Sequence, residues 1–221
     1  MKKRASNTYL CYNYFKEVMK DQWKDRWNER YSTSEFIYGK EPNKFFKEEI
    51  KKITPGNILM LGEGEGRNAV YAASLGWNVD AIDQSEAGKA KAMQLSSERK
   101  VKINYHVEDL SSYIPKQNHY DAAVFIFLHI EEKLRSLVLK NAIDSLRPGG
   151  KIILEIFEKD QLNYNSGGPK DEELLYSLED IAERFIDLEF EKFSKENIDI
   201  DECPLHQGEA SVVRFVGEKH K

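Results

Sequence analysis

The segment Leu61-Gly62-Glu63-Gly64-Glu65-Gly66-Arg67-Asn68 joins a short apolar run, Ile58–Leu61, to a stretch of helical texture, Asn68–Leu75, that stops at Gly76. Glycines at such a handover permit positive φ and let a ligand approach the backbone closely. The helix that follows offers unpaired N–H groups and a partial positive end. The spacing is Gly-x-Gly-x-Gly, and Arg67 stands where a dinucleotide fingerprint has its third glycine. Glu63 and Glu65 put two carboxylates in the loop. They repel a pyrophosphate and suit a ligand that carries positive charge.

Downstream of the loop, strand and helix signals alternate. Trp77–Ile82 reads as a second strand that ends at Asp83, and Ser85–Arg99 as a helix with Ser85 as its N-cap. Lys102–Val107 is a third strand ending in Glu108 and Asp109. Tyr120–Leu128, continuously apolar from Ala122 onward, is a fourth strand buried on both faces. Glu131–Leu146 is a helix stopped by Pro148, Gly149 and Gly150, and Lys151–Phe157 a fifth strand. This alternation indicates βαβ units and a doubly wound, mostly parallel α/β sheet. Asn163–Pro169 is a loop by composition, Ser177–Glu183 a short capped helix. Phe185–Phe193 and Ala210–Gly217 are expected to close the sheet edge as an antiparallel pair.

Upstream, to about Ile53, the chain reads as mostly helical. Tyr14, Phe15, Val18, Met19, Trp23 and Trp27 recur at three- and four-residue spacings. Its aromatic load exceeds what one short helix needs, so residues 1–53 read either as a cap docked on the core or as a lid over a ligand. No repeat or long linker splits the 221 residues, and one domain is expected, with a helical cap over 1–53 and a Rossmann-like core over 54–221.

Hydrophobic residues at 40% support a real core, and 33 basic against 38 acidic residues leave a formal charge of -5. That balance argues against a general nucleic-acid binder. Cys11 and Cys203 are isolated, so neither a zinc site nor a disulfide framework is expected, and a cytoplasmic setting is the simpler expectation. No export signal or membrane-length apolar run is apparent.

Three further features stand in order around the glycine loop. Asp83 follows Gly62 at close to the offset where an acidic residue takes a ribose hydroxyl pair. Glu108-Asp109-Leu110 could bracket an adenine, and Pro148-Gly149-Gly150 makes a tight turn. With the acidic loop, they tilt the ligand from a nicotinamide dinucleotide toward a cationic nucleoside such as S-adenosylmethionine.

These residues carry a family resemblance. The chain resembles class I S-adenosylmethionine-dependent methyltransferases, within them the tellurite-resistance type, and is similar to thiopurine methyltransferases. The matching stretches include Trp27–Tyr31, Tyr38–Asn43, Gly62–Tyr71, Gly76–Val79, Ala81–Ser85, Arg147–Gly150 and Ser166–Pro169, so the likeness runs from about Trp23 to Phe215. It implies a seven-stranded sheet with helices on both faces and an N-terminal helical lid. Gly62, Gly64 and Gly66 would line the methionine part, Asp83 would hold the ribose with Gln84 beside it, and Asp109 with Leu110 would meet the adenine. Tyr31 and Tyr38 would cover the pocket, while Arg67, Asn68, Ser85, Glu108 and Phe127 complete the expected cofactor contacts. The family commonly has an acidic residue where this chain has Met60, which leaves Glu63 as the anion for the methionine ammonium.

Methyl transfer from a sulfonium chiefly needs alignment in a dry pocket, and a base only for a protonated acceptor. His129, at the carboxyl end of the fourth strand, is the first expected acceptor contact, and the alternative is a histidine bonded to backbone. His206, in a loop before the last strand, is the second, and the alternative is an exposed turn residue. Arg67 reads as an anion clamp or a helix-start surface residue, Arg135 as a solvated or paired side chain, and Gly167-Gly168-Pro169 as a rim loop or plain turn. The expected activity is methyl transfer to a small molecule, a thiol or chalcogen oxyanion, with no metal, by a monomer or homodimer. A non-catalytic binding module and a nicotinamide-dependent oxidoreductase are the competing readings.

Overall fold

The structure, a computed structural model, describes residues 23–203 and 205–220. Cys11 and the spacing of Tyr14, Phe15, Val18 and Met19 lie outside them. Seven strands form one sheet in the order β3-β2-β1-β4-β5-β7-β6. They are β1 (Asn57–Leu61), β2 (Asn78–Asp83), β3 (Asn104–Val107), β4 (Tyr120–Ile126), β5 (Leu146–Phe157), β6 (Leu188–Cys203) and β7 (His206–Lys219). The first five run parallel, β7 is antiparallel to β5, and β6 is antiparallel to β7. The helices are α1 (residues 23–31), α2 (Lys44–Glu49), α3 (Arg67–Ser74), α4 (Glu86–Glu98), α5 (Glu132–Ser145) and α6 (Leu178–Arg184). The expected Rossmann-like sheet with an antiparallel edge pair is therefore present.

Alternation along the strands divides the core in two. Ile58 and Met60 face one side with Ala69, Val70, Ala92 and Leu95 of α3 and α4, and Phe45 and Phe46 of α2. Leu59 and Leu61 face the other, with Val138, Leu139 and Ala142 of α5 and Ile181 of α6. Successive side chains of a strand point to opposite faces, so a central strand covered on both sides must be apolar throughout. Met60 is fully buried in the first of these cores. The position where the resemblance calls for a carboxylate is a packing position here.

Several expected boundaries move. β4 stops at Ile126 rather than Leu128, because Phe127 adopts a left-handed φ of 52°. β5 begins at Leu146 rather than Lys151, and Arg147–Gly150 form a bulge, with Leu146 opposite Tyr120 and Lys151 opposite Ala122. The expected Pro-Gly-Gly turn is thus an irregularity inside a strand. The edge hairpin is longer than Phe185–Phe193 and Ala210–Gly217 suggest. Phe185 is instead the C-cap of α6, and His206 opens β7 rather than lying in a loop. The described upstream residues, 23–53, are less helical than expected, since irregular backbone separates α1 from α2. Among the described residues no helix is long and apolar enough to cross a membrane.

The sheet order reverses direction between β1 and β4, with crossovers leaving to opposite sides. That reversal opens a crevice outside the carboxyl ends of the strands, where open α/β sheets bind ligands.

Candidate functional site

A cavity of about 590 Å3 lies at this switch point, within the size range of small-molecule sites. Its floor is the turn after β1, where the N–H groups of Gly62 and Glu63 both donate to the Ile82 carbonyl, at 2.8 and 3.2 Å. The turn is held to β2 by Asp83, whose carboxylate accepts from Gly64 N at 3.0 Å and from Ser85 N at 2.9 Å. Gly64 has a φ of 59°, and a Cβ there would lie 2.6 Å from the Tyr31 hydroxyl. Only glycine lets the loop and the lid helix α1 meet so closely. Gly62 and Gly64 line the cavity. Gly66 does not: its φ is 84°, and a Cβ would fall 2.5 Å from that of Ala92, so its role is to let α3 and α4 pack.

The two loop glutamates divide their tasks. Glu63 lines the cavity and takes the N–H groups of Asn68 and Ala69 on one oxygen, at 2.9 and 2.7 Å. It therefore supplies the cap that Gly66, at the α3 N-cap, cannot. Burial raises its pKa to about 7, against the hydrogen bonds to Ala69 and Asn68 and the charge of Arg67. Asp83 is raised to about 6 by the same loss of water. Glu65 is paired with Lys91 at 2.7 Å, both side chains buried. It is a clamp on the lid rather than an open counter-charge.

Arg67 is buried and fully engaged, correcting the surface alternative. It pairs with Glu202 of β6 at 2.6 Å and donates to the Tyr38 carbonyl at 3.2 Å. A guanidinium so occupied ties lid to hairpin, leaving little for a free anion. Ser85 is likewise structural: it caps α4 through Gly88 N and donates to Asn28 of α1 at 2.8 Å. Glu108 is exposed and does not line the cavity. Tyr31, Tyr38, Asn68, Gln84, Asp109, Leu110 and Phe127 do line it, as do His129 and His206.

The far wall is aromatic. Phe127 stacks on Phe157 with ring centroids 4.5 Å apart, His206 packs edge-on to both, and His129 stacks on Phe157 at 5.5 Å. His129 Nδ1 lies 2.9 Å from the Leu174 carbonyl, which only accepts, so this nitrogen carries the proton. The backbone-bonded alternative thus describes one ring nitrogen. The other, Nε2, is buried with no hydrogen-bond partner, as is His206 Nδ1. Burial holds both rings uncharged, with pKa values lowered to about 4 for His129 and about 3 for His206; nearby Arg135 and Arg67 push the same way. His206 is buried, not an exposed turn residue.

Other lining residues lay outside the sequence expectations: Arg26 and Arg30 of α1, Phe157, Lys170, Asp171 and Leu174. Gly168 and Pro169 do form part of the rim. Arg135, expected to be solvated or paired, is 1% exposed and sits behind His129. No single-sequence signal marks Phe157 or Leu174, because the fold alone brings them opposite Phe127. Arg26 and Arg30, each three residues after a lid tryptophan (Trp23 and Trp27), follow the same helical periodicity as the lid aromatics.

Comparison with known proteins agrees with this geometry. The family model described as a methyltransferase domain matches residues 58–150, from β1 to the bulge of β5. An uncharacterized methyltransferase of Schizosaccharomyces pombe is 37% identical over 70 residues, 32% of this chain and 48% of that protein. TehB of Haemophilus influenzae, a probable S-adenosyl-L-methionine-dependent methyltransferase, is 28% identical over 106 residues, 47% of this chain and 36% of that protein. The chain thus spans about half the length, or less, of the curated relatives it matches. The TehB crystal structure superposes with a TM-score of 0.67 at 19% identity, covering 89% of this chain and 66% of that one. The N-methyltransferase NodS of Bradyrhizobium japonicum, solved with S-adenosyl-L-homocysteine, gives 0.67 at 12% identity over 90% and 98% of the two chains. Over the glycine loop and its flanking strands the chain is thus similar to S-adenosylmethionine-dependent methyltransferases, TehB among them, and it shares their fold.

Proposed function

We propose that the chain transfers a methyl group from S-adenosylmethionine to a small-molecule acceptor, a thiol or a chalcogen oxyanion. The observation that carries this reading is the two-sided cavity: carboxylates around a glycine turn on one side, and an aromatic wall with two uncharged imidazoles on the other. The donor set fits the group. Asp83 and Asp109 offer acceptors for sugar and base, and Glu63 offers an anion for the methionine ammonium, with Gly62, Gly64, Asn68, Gln84, Leu110, Tyr31 and Tyr38 around them. When bound, the sulfonium supplies an already activated methyl group.

What the chain's residues then do is orient and exclude. Tyr31 and Tyr38 roof the glycine turn, and the Phe127–Phe157 pair walls off the acceptor side, so that the acceptor meets the methyl in line and away from water. His129 and His206 face the acceptor. Arg26, Arg30 and Lys170 line the same cavity and give an anionic acceptor its counter-charges. No metal is required in this scheme. Residues 23–53 serve as the lid in this reading, and the part that follows from residue 54 as the catalytic core of the same domain.

The test is a panel assay of S-adenosylhomocysteine release with low-molecular-weight thiols, selenite, tellurite and small amines. Turnover with a thiol or an oxyanion supports the reading. Turnover with amines alone, or with nothing although the cofactor binds, contradicts it.

A further inference from the structure

Arg135 is the largest fully buried side chain in the described part of the molecule, and the fold makes unusual provision for it. Its guanidinium carbon lies 3.7 Å from the centroid of the Tyr176 ring. Nη2 donates to the Glu173 carbonyl at 2.8 Å and to the Ile130 carbonyl at 3.2 Å. The nearest carboxylates, Asp180 and Glu132, stand 3.8 and 4.0 Å away, and Nε has no partner. A buried cation without a close anion is costly, and an apolar side chain would stabilise the fold at least as well. Packing alone does not explain it.

What Arg135 touches does. Its two carbonyl contacts belong to Ile130, the residue after His129, and to Glu173, the residue before Leu174. Leu174 is the carbonyl that takes the His129 Nδ1 proton, at 2.9 Å. Tyr176, stacked under the guanidinium, donates through its hydroxyl to the Leu128 carbonyl at 2.8 Å, on the other side of His129. One arginine and one tyrosine thus fix the backbone on both flanks of the histidine and the turn that carries its proton acceptor.

We propose that Arg135, with Tyr176, is a positioning residue that keeps His129 in the uncharged Nδ1–H tautomer, so that Nε2 presents its lone pair to an X–H group of the methyl acceptor. This rests on the reading of the cavity as a methyltransferase site. The step balances: the X–CH3 bond forms as the CH3–S bond breaks, the X–H proton passes to Nε2, and the imidazolium later returns that proton to solvent. A low basicity suffices, because the acceptor atom becomes strongly acidic as it gains the methyl. The charged and titratable groups around the ring act in one direction or lie outside it. Arg135 on α5 and His206 on β7 both disfavour a charged His129, Tyr176 presents an uncharged ring at 5.8 Å, and Lys170 and Asp171 stand at the rim.

Nitrogen-15 NMR of the histidines in the 221-residue chain, without cofactor, reads the tautomer directly. Wild type is expected to show His129 as Nδ1–H and uncharged through pH 5. In Arg135→Met, which keeps the stem and removes the charge, the Nε2–H tautomer becomes populated and the titration midpoint moves up. In that variant kcat falls roughly tenfold or more with the acceptor KM held within about threefold. Arg135→Lys restores the low midpoint, and Tyr176→Phe shifts the tautomer without removing the charge. A wild-type His129 in the Nε2–H form, or titrating near an ordinary histidine, overturns the proposal whether or not the variants fold. So does an Arg135→Met protein with unchanged tautomer and kcat. Calorimetric binding of S-adenosylmethionine, measured alongside, reports on the cofactor reading separately: binding with the wrong tautomer sinks only the role of Arg135.

Discussion

The Lys91 ammonium on α4 and the Glu65 carboxylate in the glycine loop lie 2.7 Å apart, both out of solvent. The same carboxylate accepts the N–H groups of Ile37 and Tyr38 at 3.1 and 3.0 Å, and Lys91 also donates to the Glu35 carbonyl. Loop, helix and lid are thereby one unit. The loop that floors the cavity also fastens its roof.

Removing one partner of this pair leaves the other buried and unpaired. Glu65→Ala is therefore expected to cost about 3–5 kcal/mol of stability, read as a lower urea midpoint with an unchanged slope. Glu65→Gln keeps acceptor capacity for one of the lid N–H groups and should cost less. Equal midpoints for wild type and Glu65→Ala would show that the clamp is not formed.

Binding of the cationic cofactor should strengthen with pH. Glu63 and Asp83 have folded-state pKa values raised to about 7 and about 6 by burial, so both are largely protonated at pH 5 and ionised at pH 8. Only the ionised forms attract an ammonium or a sulfonium, so affinity rises between about pH 5.5 and 7.5. The sign for the free protein is opposite. In that window the native state binds more protons than the unfolded chain, so these two groups lower stability as pH rises. Calorimetry across the range checks it, with Glu63→Gln and Asp83→Asn flattening the profile.

His206 separates packing from chemistry. Its ring contacts Tyr38, Phe127 and Phe157, while its Nδ1 is buried without a partner. His206→Phe keeps the ring and removes the unsatisfied nitrogen, so thermal stability should hold or rise by about 1 kcal/mol. Acceptor turnover should fall while cofactor affinity stays. A variant equal to wild type in turnover would remove His206 from the acceptor face.

Gly66→Ala tests the packing role found for the third glycine. A Cβ at a φ of 84°, 2.5 Å from the Cβ of Ala92, forces strain and displacement together. The expected loss is about 2 kcal/mol or more, with the cavity lining intact. Denaturant unfolding measures it, and an Ala variant of wild-type stability would contradict the close approach of α3 to α4 at this glycine.

The sheet was legible because its signals are local and repeated. The apolar runs ending at Leu61, Asp83 and Val107, separated by capped helices, need no tertiary information to read. The edge hairpin exceeds its expected length because β6 carries Lys192, Ser194, Lys195, Glu196 and Asn197 on a half-open strand whose pairing is set by β7, not by its own composition. In the site, residues bound to the glycine turn are readable from sequence and those fixed by long-range packing are not. Nothing near Arg135 in sequence announces that it will stack on Tyr176, and nothing near Glu202 announces Arg67. Ser85 reads as a ligand neighbour because Gln84 beside it lines the cavity, whereas its own side chain turns to Asn28; Glu65 does border the cavity, but its carboxylate is taken up by Lys91.

Isothermal titration of the full chain with S-adenosylmethionine, S-adenosylhomocysteine and NAD, in parallel with Asp83→Asn, tests the assignment of the cavity most directly. The expected result is micromolar binding of the first two, none of the third, and a loss of roughly tenfold or more in the variant, the effect of one buried charge-assisted contact. Binding of NAD, or no binding of either sulfur nucleoside by a folded wild-type protein, would contradict it.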